Sequence, residues 1–336
     1  MRYKLKSLSI AIAATVVAPA WAQAQGTVLG SVFVTGTREP LTANATVVDP
    51  AVVRSLQPAT SDTATLLRGV PGISFYGAGG VSSLPSIRGL ADDRIRIKVD
   101  GMDLISACPN HMNPALSYLD PSQVESLEVY AGIAPVSVGG DSIGGSIVVE
   151  SAAPVFANPG EHVATGEAGA FYRSNGNSWG GNLSGTYATD SLSLNYTGSY
   201  AQSDNYKAGG DFKDYTFTGR AGHTLDLDEV GSTAYQASNQ SIKLGWKNGG
   251  DLVDLTYSRQ YIPYENYPNQ RMDMTENVSD QFNLGYTGKQ GWGTLKARAY
   301  YEHTQHVMDF GDDKRYWYGP GQPPSGSGGD VAVNGT

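Results

Sequence analysis

The sequence predicts a two-part fold: an α+β domain over residues 40–155, then part of an antiparallel transmembrane β-barrel over 156–336. Three observations predict it. Of 336 residues, 42 are Gly and 20 Tyr, only 16% are charged, and Gly, Ser, Thr, Asn and Tyr recur in short alternating runs. No internal run reaches the roughly 18–20 apolar residues of a spanning helix, which excludes a helical membrane protein. From residue 164 onward helical signals vanish, and polar and apolar residues alternate with period two between Gly/Asn/Asp turns. The net charge of −9, with no Lys/Arg block, excludes nucleic acid as the main partner.

Residues 1–24 read as a secretory signal. Arg2, Lys4 and Lys6 form its basic start, LSIAIAATVVAPA at 8–20 its apolar region, and Ala20-Trp21-Ala22 or Ala22-Gln23-Ala24 the small-x-small cleavage site. The mature chain therefore leaves the cytoplasm. There Cys108, the single cysteine, has no partner for an internal disulfide. It is either a buried thiol acting as a small hydrophobe or a ligand.

The next elements are mixed. SVFVTGTR at 31–38 is a short β-prone segment. SDTATLLRG at 61–69 reads as a helix capped by Ser61 or Asp62 and stopped by Gly69 and Pro71. In 86–104, Ile95, Ile97 and Val99 alternate with Arg94, Arg96 and Lys98, a half-buried strand turning at Asp100-Gly101. VESLEVYAG at 124–132 is a further strand, and the Gly-rich GGDSIGGSIVVES at 139–151 leads into another.

The order LLRGVPGI, SIRGL, DDRIRIKVDGMDL and VESLEVYAGIAPVSVGGDSIGGSIVVES resembles the plug domain of TonB-dependent outer-membrane receptors over residues 31–155. The resemblance implies a plug over 40–155 and, over 25–39, a segment that binds the periplasmic protein TonB, itself driven by an inner-membrane complex. By position and β-character, Val32, Phe33, Val34 and Thr35 are the matching residues. It also implies location in the outer membrane of a Gram-negative cell, in contact with its lipid.

Eight runs beyond residue 164 read as strands: 166–174, 180–189, 192–202, 215–223, 240–247, 251–261, 281–289 and 294–308. Tight turns at Asn248-Gly249-Gly250 and Gln290-Gly291 alternate with longer polar connections, as in up-and-down membrane barrels. A soluble sandwich shares this alternation, but the plug in front favours the barrel. In 294–308 the even residues Lys296, Arg298, Glu302, His306 and Met308 should face the lumen and the plug, and the odd ones lipid. Plugged barrels have about 22 strands, against the roughly eight for which there is chain here. The chain is therefore expected to be an N-terminal fragment, ending in a flexible loop at 319–336.

Soft donors cluster in three places. Cys108 and Met112 lie in CPNHM, His306 and Met308 on one strand, and Met272 and Met274 in a stretch rich in Tyr and Asn. Thiolate, thioether and imidazole favour Cu(I) over hard cations. A Cys-Met pair from one domain and a His-Met pair from the other can make a four-ligand site whose affinity falls at low pH. Cys-x-x-x-Met in the plug with His-x-Met on a barrel strand resembles the copper-importing OprC/NosA branch of the receptor family. That resemblance implies Cys108, Met112, His306 and Met308 as ligands of transported copper; His111, Met272 and Met274 fall off the pattern and are candidates for an outer collecting site. The competing readings are a siderophore or cobalamin-type receptor, for which Tyr261, Tyr264, Tyr267 and Arg271 are suitable, and a copper-binding surface protein that transports nothing. An enzyme is not expected: no catalytic triad spacing, HExxH or GxxxxGK[ST] occurs, and GGDSIGG precedes a β-prone run rather than a helix.

Overall fold

The computed structural model describes residues 45–139, 142–218, 222–317 and 329–332. The signal at 1–24 and the 25–39 segment with Val32, Phe33, Val34 and Thr35 lie outside the described residues.

The first domain contains β1 (Ala45–Val48), α1 (Pro50–Leu56), β2 (Ile73–Gly77), β3 (Ser83–Ile87), β4 (Ile95–Val99), β5 (Met102–Asp103), β6 (Ser126–Ala131) and β7 (Gly145–Glu150). Helix α1 starts where Asp49 accepts from Ala51 N and Pro50 occupies the first turn, where a missing N–H costs nothing. The helix expected over 61–69 is instead a 3-10 turn, Thr63–Leu67, capped by Asp62. Thr65 explains the tightening: its hydroxyl bonds back to the Asp62 carbonyl and to Thr60 Oγ1, competing with an α-helical ladder.

A five-stranded sheet runs β1-β6-β7-β4-β5, with β4 and β7 parallel and the other pairs antiparallel. Between β4 and β5 the expected turn is present. Asp100 and Gly101 have φ of 48° and 74°, the positive pair a type I′ hairpin needs. The core joins sheet and helical turns through Leu66, Leu67, Ile87, Leu116, Leu127 and Ile147, each contributing about 1.5–3 kcal/mol on burial.

Burial raises the Asp62 carboxyl to a pKa of about 6, against partial lowering by its hydrogen bonds to Ser83 and Ala64. The folded state then holds a proton that the unfolded chain has lost, so stability should fall as pH rises from about 4 through about 6. Asp62→Asn, which keeps the cap, should remove that slope and stabilise the full-length protein at pH 7.5 by about 1–3 kcal/mol. Denaturant titrations at pH 4.5 and 7.5 read this directly; an unchanged slope in the variant would refute it.

The second part is a meander: β8 (Val163–Arg173), β9 (Ser178–Ala188), β10 (Leu192–Ser203), β11 (Tyr235–Asn248), β12 (Asp251–Glu265), β13 (Asp273–Gln290) and β14 (Gly293–Asp309). Each pairs antiparallel with the next, and among the described residues β8 and β14 are open edges, so the sheet is not closed. At one end the connections are tight: Asn248 pairs with Asp251 and Gln290 with Gly293. Longer connections, 204–234 and 266–272, lie at the other end, the one that barrels of this type turn outward.

Two expectations are corrected. The described residues of that run, 215–218 and 222–223, belong to no strand; within the 204–234 connection Phe217 makes an isolated bridge with Thr224. The bonds here are local to the connection, Thr218 Oγ1 donating to the His223 carbonyl and Leu225 N to the Thr216 carbonyl. The terminal run read as flexible loop holds β16 (Gly329–Ala332), which pairs with β15 (Lys314–Trp317).

Candidate metal centre

In the plug, the loop after β5 is closed on itself. Ser106 Oγ lies 2.9 Å from both the Cys108 and Asn113 carbonyls, and His111 N donates to the Cys108 carbonyl at 2.9 Å. Tyr118 OH accepts from Ala107 N at 3.1 Å. This framing buries Cys108 and Met112, each 5% exposed.

The facing wall is β13 and β14. Along the outer half of β14, Glu302, Thr304, His306 and Met308 are half-buried while His303, Gln305 and Val307 are exposed, as strand parity dictates. Glu302 accepts from Ile105 N of the plug at 3.2 Å. Register pairs Met308 with Met274 and His306 with Asn277. Those two pairs share a face only because a bulge intervenes: Thr275 and Glu276 are both exposed, while Met274 and Asn277 on either side are fully buried. An extra residue thus re-aims Met274 inward.

Cys108, Met112, Tyr267 and Met274 belong to one buried apolar cluster, against which Met308 packs. Tyr267 OH reaches Met274 Sδ at 3.7 Å and Glu265 Oε2 at 3.2 Å. Glu265 Oε1 in turn accepts from Val81 N and Ser82 Oγ of the plug, at 3.0 and 2.9 Å. The plug passes this close because Gly80 has no side chain; a Cβ there would lie 2.0 Å from the Tyr235 ring.

A cavity of about 410 Å³ opens beside the cluster, lined by Cys108, Met112, Met272 and Met308 together with Asn110, Gln270, Arg271 and Phe310. Among the described residues no carboxylate lines it. His306 lies two residues along β14 from Met308 on the same face. Its Nδ1 is 3.4 Å from Asn277 Oδ1, and its Nε2 is buried with no hydrogen-bond partner. A thiol and three thioethers on one cavity, with an imidazole two residues along β14 from one of them, are donor types that suit a soft cation better than Ca²⁺ or Mg²⁺, which take oxygen ligands. Among the described residues no group of three or more His, Cys, Asp and Glu is arranged to hold a metal, so the thioethers are what distinguish this site.

The three soft residues off the pattern do not form one outer site. Met272 lines the cavity from the 266–272 connection, and Met274 is on a strand and fully buried. His111, in a left-handed turn with φ 52°, is directed elsewhere, its Nε2 lying 3.9 Å from Asp92 Oδ1. Nor do the aromatic residues set aside for a large chelate converge. Tyr267 is fully buried and Tyr261 exposed, and of that group only Arg271 lines the cavity.

The family model of the TonB-dependent receptor plug domain matches residues 37–146. No curated protein matches the chain. Among solved structures it is similar to the copper transporter OprC, with a TM-score of 0.64 and 24% identity, over 79% of this chain and 38% of that one. It is also similar to the FrpB iron transporter from Neisseria meningitidis (F5-1 variant), with a TM-score of 0.57 and 20% identity, over 81% of this chain and 40% of that one. The siderophore receptor PirA from Pseudomonas aeruginosa gives a TM-score of 0.55 and 18% identity, over 80% and 42%. The chain thus spans about two fifths of the length of the structures it resembles, and at these identities the likeness concerns the fold. Residues 37–146 thus match a TonB-dependent receptor plug domain, and the unclosed antiparallel sheet that follows shares the fold of these structures.

Proposed function

We propose that this chain is part of an outer-membrane importer that takes up copper, not an enzyme, and that TonB drives it. The observation carrying this reading is the meeting of Cys108 and Met112 from the plug with Met308 from the wall around one cavity with no carboxylate among its described lining residues, while His306, two residues along β14 from Met308, has a buried Nε2 without a partner. The thiolate, two thioethers and imidazole hold the cation at the outward end, with Cu(I) favoured by their softness. The similarity to the copper transporter OprC agrees with this cargo.

The site is built from two separate elements of the chain. Cys108 and Met112 ride on the plug loop, whereas His306 and Met308 are fixed in the sheet. TonB, powered by its inner-membrane complex, grips the segment holding Val32, Phe33, Val34 and Thr35. Withdrawal of the plug loop then separates two donors from the other two, and affinity collapses because a chelate has lost half its ligands.

Deleting residues 26–38 from the full-length receptor should abolish copper uptake by cells while leaving copper bound to the purified protein. Elemental analysis and uptake of a copper isotope measure the two arms. Uptake that survives the deletion would sink the energised-transport reading. A purified receptor without copper that supports growth on iron chelates would overturn the cargo.

A further inference from the structure

His306 does not choose its own tautomer. Behind it runs a buried amide chain whose polarity is anchored at a backbone carbonyl. The Ser117 carbonyl can only accept, so the group 2.7 Å away must be the Gln260 amide nitrogen, which also donates to Asn239 Oδ1 at 2.9 Å. That leaves Gln260 Oε1 to accept from Asn277 Nδ2 at 3.2 Å. Asn277 Oδ1 therefore faces the opposite way, where it accepts from Asn113 Nδ2 at 3.1 Å and lies 3.4 Å from His306 Nδ1. With its Nδ2 given to Asn277, Asn113 turns its Oδ1 to the Ser117 hydroxyl, whose single proton lies between that oxygen and the Pro114 carbonyl. Asn113, Gln260 and Asn277 are 0%, 3% and 0% exposed, so no water exchanges into the chain to relax its order.

An oxygen facing Nδ1 requires Nδ1 to carry the proton. In the neutral ring Nε2 then bears the lone pair, and Nε2 is the buried atom without a partner. We infer that Asn277 is a positioning residue for the metal centre: its side-chain carbonyl holds His306 in the Nδ1–H tautomer and so presents Nε2 as a ready ligand. The inference rests on the copper-site reading above and adds to it a residue that touches no metal. Removing an outer partner that orients a metal-binding imidazole typically lowers affinity about 10–100-fold.

The same carbonyl also receives Asn113, the residue that follows Met112 in the plug. Orientation of the barrel ligand is thereby tied to the seating of the plug loop that brings the sulfur ligands.

The test uses the full-length receptor in detergent with selectively ¹⁵N-labelled histidine, wild type against Asn277→Asp and Asn277→Leu. In the metal-free wild type the His306 resonances should report Nδ1 protonated and Nε2 bare. Asn277→Asp keeps the acceptor facing Nδ1 while losing the donor to Gln260 Oε1, so it should retain that signature and lose less affinity than Asn277→Leu, which should lose the signature and weaken Cu(I) binding about 10–100-fold. Wild-type spectra showing Nε2–H, or equal affinity in wild type and Asn277→Leu, would overturn the inference. So would equal losses in both variants, which would make Asn277 a packing residue only. If the wild type binds no copper, the cargo reading fails, while the metal-free spectrum still decides the tautomer.

Discussion

Replacing Cys108 by alanine in the full-length receptor is expected to leave the purified protein essentially without copper. Cys108 is the only thiolate source in the chain and is buried on the cavity wall, so no neighbour replaces it. Loss of a first ligand should exceed the cost of losing an outer partner, so we expect a drop of at least about 100-fold in Cu(I) affinity. Fold should survive, because the loop is framed by Ser106, His111 N and Tyr118 rather than by the thiol. Met112→Ala should act in the same direction, more weakly. Elemental analysis of purified variants checks both, and undiminished copper in Cys108→Ala would remove this residue from the site.

The second large effect concerns Lys314. Its Nζ donates to the Tyr267 and Gln270 carbonyls at 2.6 Å each and lies 3.1 Å from Asp273 Oδ1, with side-chain exposures of 3% and 1% for the charged pair. Asp273 also accepts from Tyr267 N at 2.8 Å and from Ser232 Oγ at 3.2 Å. These bonds pin the 266–272 connection, which carries Met272 to the cavity rim. Lys314→Leu would leave a buried carboxylate facing two unsatisfied carbonyls, a loss of about 3–5 kcal/mol. Because that energy resides in one connection, hydrogen exchange and limited proteolysis over 266–272 should accelerate well before the sheet unfolds. Pairing Lys314→Leu with Asp273→Asn should recover part of the loss; a double variant no better than the single would argue against the ion pair as the pin.

Much of this was legible in the residues. The Asp100-Gly101 hairpin, the strands of the meander and the inward side of β14 follow from turn chemistry and period-two alternation, which are local. The Asp49-Pro50 start of α1 is equally local, an acidic cap with proline in the first turn. Other features were not legible. The bulge at Thr275 and Glu276 has no marker in the sequence, yet it moves Met274 from an apparent loop to the inner face. His111 sits beside Met112 in the chain, but a left-handed backbone turn separates their directions. The amide order from Ser117 to His306 joins residues 113, 117, 260, 277 and 306, and only tertiary pairing reveals it. Local rules found the ligand types; the partners that orient them come from distant segments.

The two-residue link between β13 and β14 has an evolutionary corollary. With Gln290 clamped to Gly293, β14 is held in a single phase. A one-residue deletion just past that link would exchange its two sides, presenting Val307, Gln305 and His303 to the plug and sending Met308 and His306 toward lipid. Which side chains of β14 meet the plug is therefore a matter of odd and even. Single side chains can be exchanged in place, but insertions and deletions along this ribbon preserve its two faces only in twos.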